Sequence, residues 1–116
     1  SDFIRVDNNR NNISIFIPST INVNQKINNF YYVNYSYNYI KNLYSNNNIK
    51  YYNTKGSWFS EELKKVVIEN ITIITLELNT ITEADIYNFI QLANWIKQEM
   101  QQEGVSIAIN TALAII

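Results

Sequence analysis

The chain has 116 residues, 47% of them hydrophobic and 16% charged, with 2 Gly, 1 Pro and a formal net charge of −1. That length and composition predict a single folded domain spanning 1–116 and exclude a disordered tail. With no Cys and no His, disulfide frameworks, thiol nucleophiles, Cys/His zinc sites and histidine general bases are excluded as well.

Ile13, Ile15 and Ile17 alternate with Ser14 and Phe16, a period of two that predicts a first strand ended by Pro18, which has no N–H for a ladder. Residues 24–45 fit two templates. Tyr31, Val33, Tyr35, Tyr37 and Tyr39 match a strand, whereas Ile27, Phe30, Val33, Tyr37, Ile40 and Tyr44 match a helix seam. The pattern persists for about five helical turns, too long for an ordinary strand, so length favours a helix, with Asn22 and Asn24 as candidate caps. Asn46-Asn47-Asn48 predicts a turn, and a second strand is expected over 49–59. Ser60–Lys64 reads as a hairpin tip before a third strand from Val66 to Leu78. Thr80 and Thr82 each precede an acid by three residues, Glu83 and Asp85, and predict the capped start of a second helix. Its seam is Ile86, Phe89, Ile90, Ala93, Ile96 and Met100, with Gly104 where the residue beyond a helix end is expected. Val105–Ile116 alternates as one final strand. The order βαββαβ predicts an α+β, ferredoxin-like domain: a four-stranded antiparallel sheet with two helices on one face.

Three short motifs stand out: Lys55-Gly56-Ser57-Trp58, Glu69 just ahead of an apolar strand, and Gln101-Gln102-Glu103-Gly104-Val105 at a helix-to-strand junction. Over roughly residues 12–116 they resemble a pattern in small, functionally uncharacterised bacterial and phage proteins of this βαββαβ topology. The resemblance implies the fold and carries no activity with it.

In an antiparallel sheet of that order, the end of strand two and the starts of strands three and four share one edge. Trp58, Glu69, Gln102 and Glu103 are therefore expected together, beside Ser19. Two carboxylates, an amide and an indole suit a small-molecule pocket, a site of hard oxygen ligands for a divalent metal, or a general-acid pair. The competing expectation is structural, with Trp58 closing the core edge and Glu69 and Glu103 solvated or paired with Lys64 or Lys65.

A two-layer domain leaves one sheet face bare. Phe16, Ile71 and Ile73 fall on that face and predict a homodimer or a docked protein partner. Tyr31, Tyr32, Tyr35 and Tyr39 lie off the helix seam among Asn and Ser, the chemistry of protein-recognition surfaces. Residues 1–58 hold six Lys/Arg and two Asp, and residues 59–116 three Lys and eight acids, which reads as two complementary halves. The small total charge predicts no nucleic-acid partner and no membrane surface. No apolar run nears the roughly 18 residues of a membrane span, and no basic-then-apolar leader opens the chain, so a cytoplasmic location is expected. Twenty Asn, twenty Ile and nine Tyr read as the coding bias of an AT-rich genome.

No phosphate loop, EF-hand spacing, nucleophile elbow or internal repeat is present. The expectation is accordingly a non-catalytic protein-interaction module, such as a phage or mobile-element accessory or inhibitor protein, with no cofactor and no catalytic residue. The alternative is a small-molecule or divalent-metal-binding domain, or a weak enzyme, built on Trp58, Glu69, Gln102 and Glu103.

Overall fold

The computed structural model describes residues 10–23, 25–110 and 112–116. The alternating isoleucines become β1 (Asn11–Pro18), and Ile13, Ile15 and Ile17 are fully buried. On one side β1 pairs with β5 (Lys65–Leu78), Ile15 opposite Ile74. On the other it pairs with β6 (Ser106–Ile109), Ile15 opposite Ile107. β4 (Ile49–Ser60) and β5 form a long hairpin, in register from Ile49–Leu76 at its base to Ser60–Lys65 at its tip. The sheet order is β4-β5-β1-β6-β7, with every neighbouring pair antiparallel.

β7 (Ala112–Ile115) is the fifth strand and corrects the expected four. The single final strand predicted over 105–116 folds back on itself, because Asn110 adopts a left-handed backbone (φ 55°). Asparagine tolerates that conformation better than most residues. Its side chain also accepts the Asn12 N–H at 2.9 Å and donates to Asn11 Oδ1 at 3.2 Å, tying the turn to β1.

α1 (Phe30–Leu43) and α2 (Glu83–Glu99) cover the sheet face that carries Ile15, Ile74 and Ile107. α1 is shorter than the expected 24–45. The residues ahead of it form a two-stranded ribbon, β2 (Thr20–Ile21) and β3 (Gln25–Lys26), turned through left-handed Asn22 and Val23. Asn22 therefore caps no helix, and Asn24 lies outside the described residues. Phe30, assigned to the seam, is 70% exposed at the helix start, while Ile40 is fully buried and Val33, Tyr37 and Tyr44 pack against the core.

α2 begins as predicted, at Thr82. The Thr82 hydroxyl accepts the Asp85 N–H, and the Asp85 carboxylate accepts the Thr82 N–H at 2.8 Å, a reciprocal cap. Asp85 also takes the Tyr44 hydroxyl at 2.6 Å, and Asn88 donates to that hydroxyl at 3.0 Å, which joins the end of α1 to the start of α2. Burial would raise the Asp85 carboxyl, but the bonds from Tyr44 and Thr82 outweigh it and hold it below the ordinary carboxylate value. Burial, then the bond to Asp85, pushes the Tyr44 phenol up to about 12. Higher on the same joint, Tyr35 stacks on Trp95 with ring centres 3.8 Å apart and planes 12° apart.

The helix end corrects another expectation. Met100 caps α2 and Gln101 takes the left-handed position (φ 52°), three residues before Gly104. Gly104 serves close packing instead: a Cβ there would stand 2.7 Å from Ile115 Cγ2 and 3.3 Å from Ile116 O.

Candidate active site

Because side chains alternate across a strand, β1 and β5 send Phe16, Pro18, Glu69, Ile71 and Ile73 to the face away from the helices. β4 sends Thr54, Gly56 and Trp58 to the same face. Towards its tip the β4–β5 hairpin and the segment 102–106 wall off a trough of about 540 Å³. Phe16, Pro18 and Ile71 line it from the sheet, Trp58 from the hairpin, and Leu113 and Ile115 from β7. Gly56 leaves room for Ile71, whose Cδ1 lies 2.2 Å from where a Cβ would stand and would have to swing aside for one.

Glu69 is 6% exposed and lines the trough. One carboxylate oxygen accepts the Trp58 indole N–H at 3.1 Å. The other accepts the Thr20 hydroxyl at 2.9 Å and the Ser19 N–H at 3.2 Å. Ionised carboxylates offer about four lone-pair sites, so three donors leave capacity for one more. The ion pairs seen among the described residues, Lys50–Glu77 and Lys64–Glu61, involve neither Glu69 nor Glu103. Burying a carboxylate is costly unless donors compensate, and here three neutral donors meet Glu69 beside an apolar floor.

Gln102 is anchored through the same cluster. Its side-chain NH₂ donates to Thr20 O at 2.7 Å and Met100 O at 3.0 Å. Glu103 turns elsewhere, accepting the Ser60 hydroxyl at 3.0 Å and the Glu62 N–H at 3.2 Å, so that it latches the hairpin tip to the segment that follows α2. Trp58, Glu69 and Gln102 are thus brought together with Ser19, while Glu103 lines the trough from the latch. Sequence reasoning missed Thr20 and Ser60, both buried. Neither sits in a motif; only the return of β2 beneath Glu69 and the folding of the hairpin tip make them neighbours.

The other expected surfaces fare unevenly. Phe16 and Ile71 are half-buried and line the trough, but Ile73 is 5% exposed, flanked across the strands by Phe16 and Tyr52. Of the tyrosines, Tyr31 and Tyr35 are exposed, and Tyr32 and Tyr39 are half-buried against the core. Tyr35 is spent partly on Trp95, and Tyr39 donates to Asn88 O at 3.1 Å, so α1–α2 packing uses rings expected to serve recognition. Among the described residues no group of three or more acidic side chains is placed to hold a metal ion. No helix among them is long and apolar enough to cross a membrane.

No family model matches the chain, and no curated protein matches it. Its fold is similar to two solved structures of phage SAM lyase. One is in complex with S-methyl-5′-thioadenosine (TM-score 0.69, 16% identity) and the other is in the apo state (TM-score 0.68, 14% identity). Each match covers 100% of this chain and 95% of that one. This corrects the expectation of a non-catalytic interaction module. The architecture serves as an enzyme in both neighbours, so a short α+β domain of this build is no ground for a passive binder.

Proposed function

We propose that the trough binds S-adenosylmethionine and cleaves it to S-methyl-5′-thioadenosine, as a lyase. The observation that supports this most is the pairing of an apolar floor with a buried Glu69 that makes no ion pair among the described residues, on a fold that matches phage SAM lyase along its whole length. The four strands β4-β5-β1-β6 read as a ferredoxin-like split βαβ sheet with β7 added at the edge, and the chain reads as a phage-type protein.

The chemistry suits these residues. Breaking the bond between sulfur and the amino-acid chain sends the electron pair to sulfur and turns a cationic sulfonium into a neutral thioether. The leaving group then needs no proton, and lyase cleavage needs no activated water, so the lack of histidine ceases to be an obstacle. The carbon fragment balances its charge internally: its own carboxylate oxygen closes on the carbon that sulfur leaves, so one C–O bond forms as the C–S bond breaks and no proton has to be taken up by the protein. A carboxylate placed only to neutralise the sulfonium would stabilise the ground state more than a transition state in which that charge fades. The apolar floor of Phe16 and Ile71 therefore suits the sulfonium, and Glu69 suits the donors that persist through the reaction, the ammonium or ribose hydroxyls. Trp58 and Thr20 position Glu69, and Glu103 positions the hairpin.

The test is to incubate the protein with S-adenosylmethionine and follow S-methyl-5′-thioadenosine by chromatography. Product release by the wild type and its loss in Glu69→Gln supports the proposal; no release and no binding of either compound overturns it. The homodimer expected through the open face that carries Phe16 and Ile71 remains a proposal as well. A mass of 13.6 kDa by light scattering at micromolar concentration rejects it.

A further inference from the structure

Gln102 is 8% exposed, and its amide nitrogen faces two backbone carbonyls, Thr20 O at 2.7 Å and Met100 O at 3.0 Å. Carbonyl oxygens only accept, so these partners decide which end of the amide is the nitrogen. The oxygen Oε1 is held at the opposite end, and among the described residues no hydrogen bond to it is seen. Nor is it sealed off: the fully enclosed side-chain polar atom without a partner among the described residues is Ser36 Oγ. Gln102 lines the trough, and with its nitrogen committed to two carbonyls Oε1 is the end of this fixed amide left to accept from a ligand there.

Thr20 links this acceptor to Glu69, since its carbonyl receives the Gln102 amide and its hydroxyl donates to Glu69. The donors held against Glu69, the Ser19 N–H, the Thr20 hydroxyl and the Trp58 indole N–H, are all spent on it. What remains for a ligand is a pair of acceptors, one charged and one neutral. Such a wall fits a group with several donors and no acceptor, and a primary ammonium is that group. We infer that Gln102 is a specificity-determining residue that accepts an N–H from the α-ammonium of S-adenosylmethionine beside Glu69. The inference rests on the reading of the trough as a site for that substrate.

The test varies the ligand as well as the protein. Three uncleavable probes are titrated calorimetrically against wild type and Gln102→Leu: S-adenosylhomocysteine, its desamino analogue, and S-methyl-5′-thioadenosine, which lacks the amino-acid chain. Loss of the ammonium should weaken binding to wild type about 10-fold or more, the size of a hydrogen bond to a charged group. Gln102→Leu should weaken S-adenosylhomocysteine by a similar factor and leave S-methyl-5′-thioadenosine within about two-fold, because only the former carries the donor. Equal weakening of all three probes overturns the assignment and leaves Gln102 a purely structural residue or a contact to the purine. Equal binding of the parent and desamino probes by wild type overturns it without any variant, so the inference stays testable if Gln102→Leu does not fold. In that case bound S-methyl-5′-thioadenosine still supports the trough as a nucleoside site; if wild type binds none of the three, the proposed function and the assignment fall together.

Discussion

Asp85 and Glu69 are the same functional group with the same number of donors, and they do opposite things. Asp85 takes the Tyr44 hydroxyl on one oxygen and the Thr82 N–H and hydroxyl on the other. Glu69 takes the Trp58 N–H on one oxygen and the Ser19 N–H and Thr20 hydroxyl on the other. The partners of Asp85 belong to the joint between two helices. Those of Glu69 come from a hairpin strand and from the segment after β1, and the carboxylate they hold faces a trough. Counting hydrogen bonds does not separate a structural carboxylate from a candidate functional one; what the group faces does.

The largest expected effect is on turnover. Glu69→Gln keeps the size of the side chain and removes its charge, and should lower release of S-methyl-5′-thioadenosine about 100-fold or more, the scale of losing one preorganised charged contact. Asp85→Asn should leave that rate nearly unchanged. If both variants lose turnover equally, the comparison fails. Stability should rank the other way: Asp85→Asn weakens a helix cap and the tie to α1, and should cost about 1–2 kcal/mol in urea unfolding.

Acidity sharpens the contrast. The Asp85 carboxyl is held below its ordinary value by Tyr44 and Thr82 against the upward push of burial. Its stabilising contribution is therefore present above the unfolded value near 4 and is lost as pH falls through the lower folded one. Wild type should lose more stability than Asp85→Asn when urea midpoints are compared at about pH 4.5 and 2.5. At the alkaline end the Tyr44 phenol, raised to about 12 by burial and by Asp85, stabilises the fold fully below its ordinary value near 10. That contribution is lost as pH rises through the folded value, so Tyr44→Phe should flatten the alkaline loss while phenolate absorbance tracks it. The smallest effect is expected at Gly56→Ala. Ile71 can swing away from the added methyl, at a cost on the order of 1 kcal/mol, but it swings within the trough, so binding of S-methyl-5′-thioadenosine should weaken by a few-fold while the Asp85 joint is untouched.

Much of this was legible from residues alone. The alternation at Ile13, Ile15 and Ile17 gave β1, and Thr82 with Asp85 gave the start of α2, because each signal is local. The convergence of Trp58, Glu69 and Gln102 was also readable, since antiparallel topology fixes which strand ends meet. What escaped was set by backbone turns that leave weak marks in an Asn-rich chain. Asn110 folds the last segment into two strands, and Asn22 with Val23 makes a ribbon where a helix was expected. With twenty Asn in the chain, one more asparagine does not announce a turn. Thr20 was invisible for the same reason, as it reaches Glu69 only because that ribbon exists. The function class was misread because missing imidazoles and thiols were weighed against catalysis, whereas the fold is similar to that of two solved lyase structures.

The continuous ladder of the β4–β5 hairpin has an evolutionary consequence. Ile74 and Leu76, which are core, and Glu69, which faces the trough, lie on one uninterrupted strand. Side chains on a strand alternate with a period of two, so a one-residue shift exchanges its faces. An insertion or deletion within the loop 61–64, where Lys64 already turns through a left-handed backbone, leaves the alternation of the strand intact and disturbs only the tip, including the Glu62 N–H bond to Glu103. A single-codon deletion between Glu69 and Ile74 would either turn Glu69 to the opposite face or drag the isoleucines out of the core. Lineages that keep the trough should therefore vary in length at the tip and hold a fixed spacing from Glu69 inward.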